Sequence, residues 1–276
     1  MGNDHFVPQL LLRRFTSDGN RKTPIIEYEL ATGTFRLRPI RSVCAIDDLN
    51  SIDEVVIARA AASGMEFDTE SLERGIGREI ENPFANALQR IETNPDRLSG
   101  DDVDWLGSYV AFQLVRTPWA MGRHVEEADA EITYREVLAR MLGEQPVVFD
   151  LIKERQWSLW QRAGDAGFYV VSDSPVQLMS RGGRNLPLTP EGLAARDGVL
   201  TMPLTKNLLV RAEFDAPGGV TLVADQEMVA RYNYATTAGA VHHLYMPQKE
   251  FVIFDGARVR VVNEADPDTY RREVAE

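Results

Sequence analysis

The sequence predicts an α+β fold, with a helical middle packed against a mainly antiparallel sheet from the C-terminal half and an N-terminal helix docked between them. Three observations predict it. Leu72, Ile76, Ile80, Phe84 and Leu88 recur at intervals of four, the buried stripe of a long helix. After Gly164-Asp165-Ala166-Gly167 the pattern shortens to β-prone runs separated by Gly and Pro, beginning with Phe168-Tyr169-Val170-Val171. The stretch His5-Phe6-Val7-Pro8-Gln9-Leu10-Leu11-Leu12-Arg13-Arg14-Phe15 is apolar almost from the first residue, so it must dock into a core that later residues build. We expect a single domain over residues 1–276, with a helical subregion at 68–162 and a sheet-rich subregion at 167–262.

In the N-terminal segment Pro8 fits the first helical position, where its missing N–H costs nothing. Helical spacing places Leu11, Leu12 and Phe15 on a buried side and Gln9 and Arg13 on another, with His5 just before the helix start. Pro24 to Leu30 and Thr34 to Pro39, separated by Ala31-Thr32-Gly33, read as a β-hairpin. Between Ile40 and Ala62 the pattern supports a turn at Asp47 to Ser51 and a short helix from Val55. From Asp68, a plausible cap, the striped helix runs to about Glu92, and Pro83 should disturb it by removing the donor for the Glu79 carbonyl. Glu81 stands between the small residues Gly77 and Ala85 on one face; it is either a solvated surface acid or a group that a ligand can approach closely.

Asp101 or Asp102 should cap the next helix, whose stripe changes character along its length. Leu106, Val110, Gln113 and Thr117 share one helical spacing and Tyr109, Phe112 and Arg116 another, so an apolar face turns polar near its end. A buried guanidinium needs a partner. Either carboxylates from elsewhere meet Arg116, or the helix emerges into water there. Glu126 to Met141 and Val147 to Arg162 read as third and fourth helices, the latter with Phe149, Ile152, Trp157 and Trp160 inward. In the sheet-rich part, Val199 to Leu204 and Leu208 to Phe214 should pair, with Gly219 to Val223 beside them. Asp225 should cap a helix to about Ala238 that carries Asn233, and a hairpin turning at Asp255-Gly256 should follow. Ser172-Asp173-Ser174-Pro175 ends a buried strand at a Pro turn, where Asp173 either presents its carboxylate at a rim or caps the turn.

Composition narrows the function classes. A formal charge of −12 disfavours broad adsorption to nucleic acid or anionic membrane, although a local arginine cluster can still hold phosphate in a cleft. A lone cysteine, Cys44, excludes an internal disulfide and a cysteine-based zinc site. No apolar run approaches the roughly 20 residues that span a bilayer, and the start lacks the basic and apolar regions of a signal peptide. We therefore expect a cytoplasmic protein with no membrane partner. A phosphate loop, a dinucleotide fingerprint, a nucleophile elbow and a His-Glu-x-x-His motif are all missing. His242 and His243 are adjacent, so on a strand they would point to opposite faces, and His124 reads as a surface residue.

The opening His5-Phe-Val-Pro8-Gln9 with Leu12, Arg13 and Phe15, the Ile80-Glu81 helix, Gln113-x-x-Arg116-Thr117-Pro118, Ser172-Asp173-x-Pro175, Pro203-Leu204 and the Asn233 helix follow one another in order. Together they resemble the family called domain of unknown function 4238, over nearly the whole chain. The resemblance supports a map of sites and supplies no reaction. It implies that His5, Gln9, Arg13, Glu81, Gln113, Arg116, Asp173 and Asn233, drawn from separate segments, share one polar cleft. The alternative is a structural network in which Glu81 and Asp173 neutralise Arg13 and Arg116.

As an enzyme, the chain would use His5, Glu81, Arg116 and Asp173 as catalytic groups, with His5 the acid or base because its ordinary pKa lies near neutrality. Gln9, Arg13, Gln113 and Asn233 would bind the ligand. Arginine forks suit an anionic or phosphate-containing substrate, and Glu81 and Asp173 could hold a divalent metal that activates water. The expected reaction is hydrolysis or transfer at a phosphodiester or nucleotide, ribonuclease-like if the partner is RNA. The other class is a non-catalytic module that binds a small anionic ligand or a protein partner. A catalyst needs one His5 ring nitrogen free toward the cleft, whereas a receptor would have both satisfied by protein.

Overall fold

The computed structural model describes residues 3–47, 75–96, 98–117 and 145–264. The expected helix start at Asp68 with Leu72, the short helix from Val55, the helix Glu126 to Met141, His124 and Pro118 lie outside them.

The chain opens with a strand, β1 (Asn3–His5), before one turn of helix, α1 (Gln9–Leu12), that tightens into a 3-10 turn, Arg13–Phe15. Pro8 is the cap of α1, one position earlier than its sequence context suggested. Leu11, Leu12 and Phe15 are buried as the spacing predicts. Strands β2 (Ile25–Glu29) and β3 (Thr34–Arg38) form the expected antiparallel hairpin, with Gly33 at φ 68°, a conformation that costs glycine little. Strand β4 (Ala45–Asp47) then returns to pair with β1, in a stretch to which the sequence had assigned no strand; beyond Asp47 the expected turn to Ser51 lies outside the described residues.

A π-helical turn, Gly77–Glu81, leads into α2 (Asn82–Thr93). This is the form the Pro83 disturbance takes: the proline falls in the first turn of α2, and the wider turn precedes it. Helix α3 (Gly100–Arg116) is capped by Ser99 instead of Asp101 or Asp102. The Ser99 hydroxyl accepts from the Asp102 N–H at 3.2 Å, and the Asp102 carboxylate accepts from the Ser99 N–H at 3.3 Å. Asp102 also pairs with Arg90 of α2 at 2.6 Å, so the cap fastens α3 to its neighbour.

The expected fourth helix is cut short. Residues 145–152 are helical, but the chain then enters strand β5 (Gln156–Arg162), so the helical subregion ends before 162 and the sheet begins before 167. Pairing with strand Leu208–Glu213 on one side and strand Thr221–Ala224 on the other holds this stretch as a strand. A two-residue period sends Trp157 and Leu159 into the core beside α2 and α3, while Trp160 meets Tyr232 edge-on at 5.7 Å on the opposite face. Gly107 of α3 lets the helical residues 145–152 approach, since a Cβ there would lie 3.0 Å from the Phe149 ring.

After β5 come β6 (Val171–Ser172), β7 (Gln177–Ser180), α4 (Pro190–Ala194), β8 (Gly198–Pro203), β9 (Leu208–Glu213) and β10 (Thr221–Ala224). Helix α5 (Gln226–Gly239), capped by Asp225 as predicted, is followed by β11 (His243–Met246) and the hairpin β12 (Glu250–Phe254) and β13 (Val259–Asn263). A five-stranded sheet has the order β10-β5-β9-β8-β7, and a four-stranded sheet the order β3-β2-β11-β6. Two details depart from expectation. β10 pairs with β5, in parallel, and not with β8 or β9. The N-terminal hairpin joins β11 in the four-stranded sheet, which is therefore not drawn from the C-terminal half alone.

The α2–α3 hairpin packs on the five-stranded sheet, with Phe84, Leu88, Tyr109 and Phe112 sharing a core with Trp157, Leu200, Met202 and Val210. The segment of α1 is wedged between the two parts: Leu11, Leu12 and Phe15 meet Val115 of α3, Val171 of β6 and Tyr245 of β11.

Burial by itself would raise the Asp102 carboxyl, but its hydrogen bonds from Ser99 and its pairing with Arg90 outweigh this and hold it below the ordinary carboxylate value. A depressed folded-state value contributes stability above the unfolded value that is lost as the pH falls. Asp102→Asn should therefore cost about 1 kcal/mol at pH 7. In urea titrations across pH the difference from wild type should shrink toward zero below about pH 3.

Candidate functional site

Three of the expected site residues meet at the end of the α2–α3 hairpin. Arg116 is 2% exposed and its guanidinium donates to Glu81 at 3.1 Å. The antiparallel pairing delivers this contact: Arg90 faces Asp102, Phe84 stacks flat on Tyr109 with ring centroids 3.5 Å apart, and Glu81, in the π turn, reaches Arg116. So Arg116 stays buried and Glu81 is not a free surface acid. Burial pulls the guanidinium below its ordinary value, opposed first by Glu81 and then by Tyr109 and Asp4. Gln113, one turn back on the same face, is fully buried. Neither its amide nitrogen nor its amide oxygen, nor the Tyr109 hydroxyl, hydrogen-bonds a described residue. Burial also pushes the Tyr109 phenol well above its ordinary value, with the Glu81 charge adding to the effect.

Asp4 was missed from sequence, because a polar residue three from the start reads as a fraying tail. β1 instead pairs with β4, buries Asp4 and brings its charge to Arg116. His5, next along the strand, is directed elsewhere. Its Nε2 lies 3.4 Å from the Ile40 carbonyl and its Nδ1 3.5 Å from the Gln9 amide. The partners shown for this ring are thus Gln9 and Ile40, and not Glu81, Arg116 or Asp173.

Arg13 belongs to a different place. It lines a polar cavity of about 540 Å³ together with Arg14, Asp18, Asn86, Gln89, Glu92, Lys206 and Asn207, and the lining includes neither Glu81, Gln113 nor Arg116. Arg14 is buried and paired with Glu92 at 3.0 Å, and the Lys206 ammonium donates to the Thr16 and Ser17 carbonyls. Arg13 makes no hydrogen bond or ion pair from its guanidinium to a described residue. Burial and the neighbouring Arg14 lower its pKa, Glu92 opposes them, and Arg21 adds a further lowering. Lys206 carries no local signal in the sequence, since the tight turn after β8 brings it to the N-terminal segment from far along the chain.

Asp173 and Asn233 are consumed by the backbone. The Asp173 carboxylate accepts from the N–H groups of Val241, His242 and His243 at 2.8, 2.7 and 3.0 Å, fixing the entry to β11. It lines another cavity, whose walls include none of His5, Glu81 or Arg116. Asn233 is fully buried; its oxygen accepts from the Val170 N–H at 3.0 Å, and its nitrogen donates to the Phe168 and Val252 carbonyls at 2.9 Å each. These bonds satisfy an irregular stretch ahead of β6 and tie it to β12. The single cleft implied by the resemblance is therefore divided among separate places.

Among the described residues no group of three His, Cys, Asp or Glu side chains is arranged to hold a metal ion, and no helix is long and apolar enough to cross a membrane. The family of proteins of unknown function DUF4238 matches residues 3–146, about half of the 276-residue chain. The chain belongs to the DUF4238 family. The DUF4238 match includes β1, α1 and the α2–α3 hairpin, hence Asp4, His5, Gln9, Arg13, Glu81, Gln113 and Arg116, and ends before Asp173 and Asn233. No curated protein and no solved structure matches the chain.

Removing Glu81 would strand a buried guanidinium, and removing Asn233 would strand buried backbone groups. Glu81→Ala and Asn233→Ala should each lower the unfolding free energy by about 3 kcal/mol. Urea denaturation checks this, and losses below about 0.5 kcal/mol, ordinary for surface substitutions, would contradict these roles.

Proposed function

We propose that this chain is a non-catalytic module that binds a small phosphate-bearing anion in the Arg13 cavity. One observation carries the reading: an Arg13 guanidinium with no acceptor among the described residues lines a cavity of about 540 Å³ beside Arg14 and Lys206. Arg13, Arg14 and Lys206 outnumber Asp18 and Glu92 at its walls, and besides burial Arg14 and Arg21 press on the Arg13 charge, in a chain whose formal charge is −12. An anion relieves that crowding. A guanidinium fork matches two phosphate oxygens, and Asn86, Gln89 and Asn207 supply amide groups at the same walls. The Asn207 oxygen already accepts from Arg162 at 2.7 Å, so its NH₂ is the half left to donate. Lys206, held by carbonyls, contributes charge more than contact. The volume lies in the range of small-ligand sites, roughly 300–1,000 Å³.

Binding is favoured over catalysis by His5, whose two ring nitrogens both face protein partners and which does not line this cavity. A second reading, a hydrolase or transferase acting on a phosphodiester or nucleotide, draws support from the Arg116 centre. There the buried Gln113 amide and Tyr109 hydroxyl, neither hydrogen-bonded to a described residue, stand beside the Arg116 guanidinium. Against an anion at that centre, Glu81 and Asp4 already answer the Arg116 charge.

Titration calorimetry with inorganic phosphate and adenosine monophosphate should show saturable binding. Arg13→Ala should weaken it at least tenfold, about 1.4 kcal/mol, with an unchanged unfolding midpoint. Unchanged affinity in that variant would reject the cavity as the site. Wild-type protein should give no turnover on a nucleotide and RNA panel with Mg²⁺ or Mn²⁺; turnover that disappears in His5→Ala would establish the hydrolase reading instead.

A further inference from the structure

The Arg13 cavity holds ionised groups of both signs, and the way they pair sets the charge that a ligand must bring. Arg14 is answered by Glu92, whose carboxylate accepts from its Nε at 3.1 Å and from a terminal guanidinium nitrogen at 3.0 Å. Burial weakens the Lys206 ammonium, and the Asp18 charge supports it. Hydrogen bonds from the Asn20 N–H and the Thr23 hydroxyl hold the Asp18 carboxyl below its ordinary value, so it stays ionised. Among the described lining residues, two carboxylates thus offset two of the three cations, and Arg13 is left over. Arg21, in solvent, and Arg162, held by Asn207 and two backbone carbonyls, act on Arg13 and Lys206 from outside that lining.

The space continues along α2. Asn86 and Gln89 line both the Arg13 cavity and a neighbouring hollow of about 630 Å³ that also touches Arg90, Thr93 and Asn94. Arg90 is engaged by Asp102 at 2.6 Å. A second anionic group there would find no unpaired cation among the described residues, whereas amides and a hydroxyl suit an uncharged group that donates and accepts hydrogen bonds.

Resting on the phosphate reading above, we propose that this site takes a phosphodiester: a single negative charge on Arg13, with an uncharged polar substituent running along α2 past Asn86 and Gln89. A phosphomonoester carries about −1.5 to −2 charges at neutral pH and would leave the cavity negative, inside a chain already at −12. A diphosphate adds charge that the neighbouring hollow does not answer. A diester carries one charge per phosphate and closes the balance.

Phosphorus NMR titrations of the full chain at about pH 8, where a monoester is a dianion, test this with dimethyl phosphate, methyl phosphate and bis(2-hydroxyethyl) phosphate. Dimethyl phosphate should bind several-fold more tightly than methyl phosphate. Bis(2-hydroxyethyl) phosphate should bind more tightly again, a gain that Asn94→Ala removes. Glu92→Gln and Asp18→Asn each uncover a cation and should shift the preference toward methyl phosphate. If Glu92→Gln does not fold, Asp18→Asn decides, since that carboxylate is exposed. Methyl phosphate binding as tightly as dimethyl phosphate, equal affinity for the two diesters, or a preference unmoved in Asp18→Asn would overturn the diester assignment. If inorganic phosphate binds and no diester does, the diester assignment falls alone; if nothing binds, the phosphate site falls with it.

Discussion

A guanidinium at 2% exposure persists only when a carboxylate meets it, and the pairing of Arg116 with Glu81 is the contact on which the helical layer turns. The two residues lie at the far ends of an antiparallel helix pair whose other rungs are the Phe84–Tyr109 stack and the Arg90–Asp102 ion pair. With all three in register, Phe84, Leu88 and Tyr109 meet the five-stranded sheet together. Val115, one residue before the ion pair, receives α1. The N-terminal segment is thus seated by the same geometry that neutralises Arg116, and β1 follows it to deliver Asp4.

The polar residues that sequence grouped together serve different needs. Asp173 stands where the chain leaves β6, and Asn233, within α5, faces the irregular stretch ahead of β6; backbone N–H and C=O groups there need partners that sheet ladders do not supply. Arg13 and Arg14 are neighbours with opposite fates. Successive helical side chains diverge by about 100°, so one is buried against Glu92 while the other opens into a cavity. The cavity at Arg13 gathers Arg14 and Lys206 beside Asp18 and Glu92, and the cavity at Asp173 mixes Glu27 with Arg36 and Arg38. An acidic chain can hold both because net charge is a sum, whereas recognition depends on charges within a few ångströms.

Much of the fold was legible in local pattern. The stripe through Ile76, Phe84 and Leu88, the Gly33 hairpin, the Asp225 cap and the closing hairpin all follow from periodicity and turn chemistry acting over a few residues. The stretch from Gln156 to Arg162 was misread because tryptophans three apart fit either a helix or two faces of a strand. Its strand neighbours, β9 and β10, lie some 50 to 60 residues downstream and decide the matter.

By itself the sequence determined the α+β class and the burial of α1, since both follow from hydrophobic period; for Arg116 it left a carboxylate partner and emergence into water both open. Tertiary structure alone decided which polar residues meet. Glu81 with Arg116 and Lys206 with the turn after α1 are joined by strand register and helix packing across long separations in the chain, which no local pattern of residues encodes.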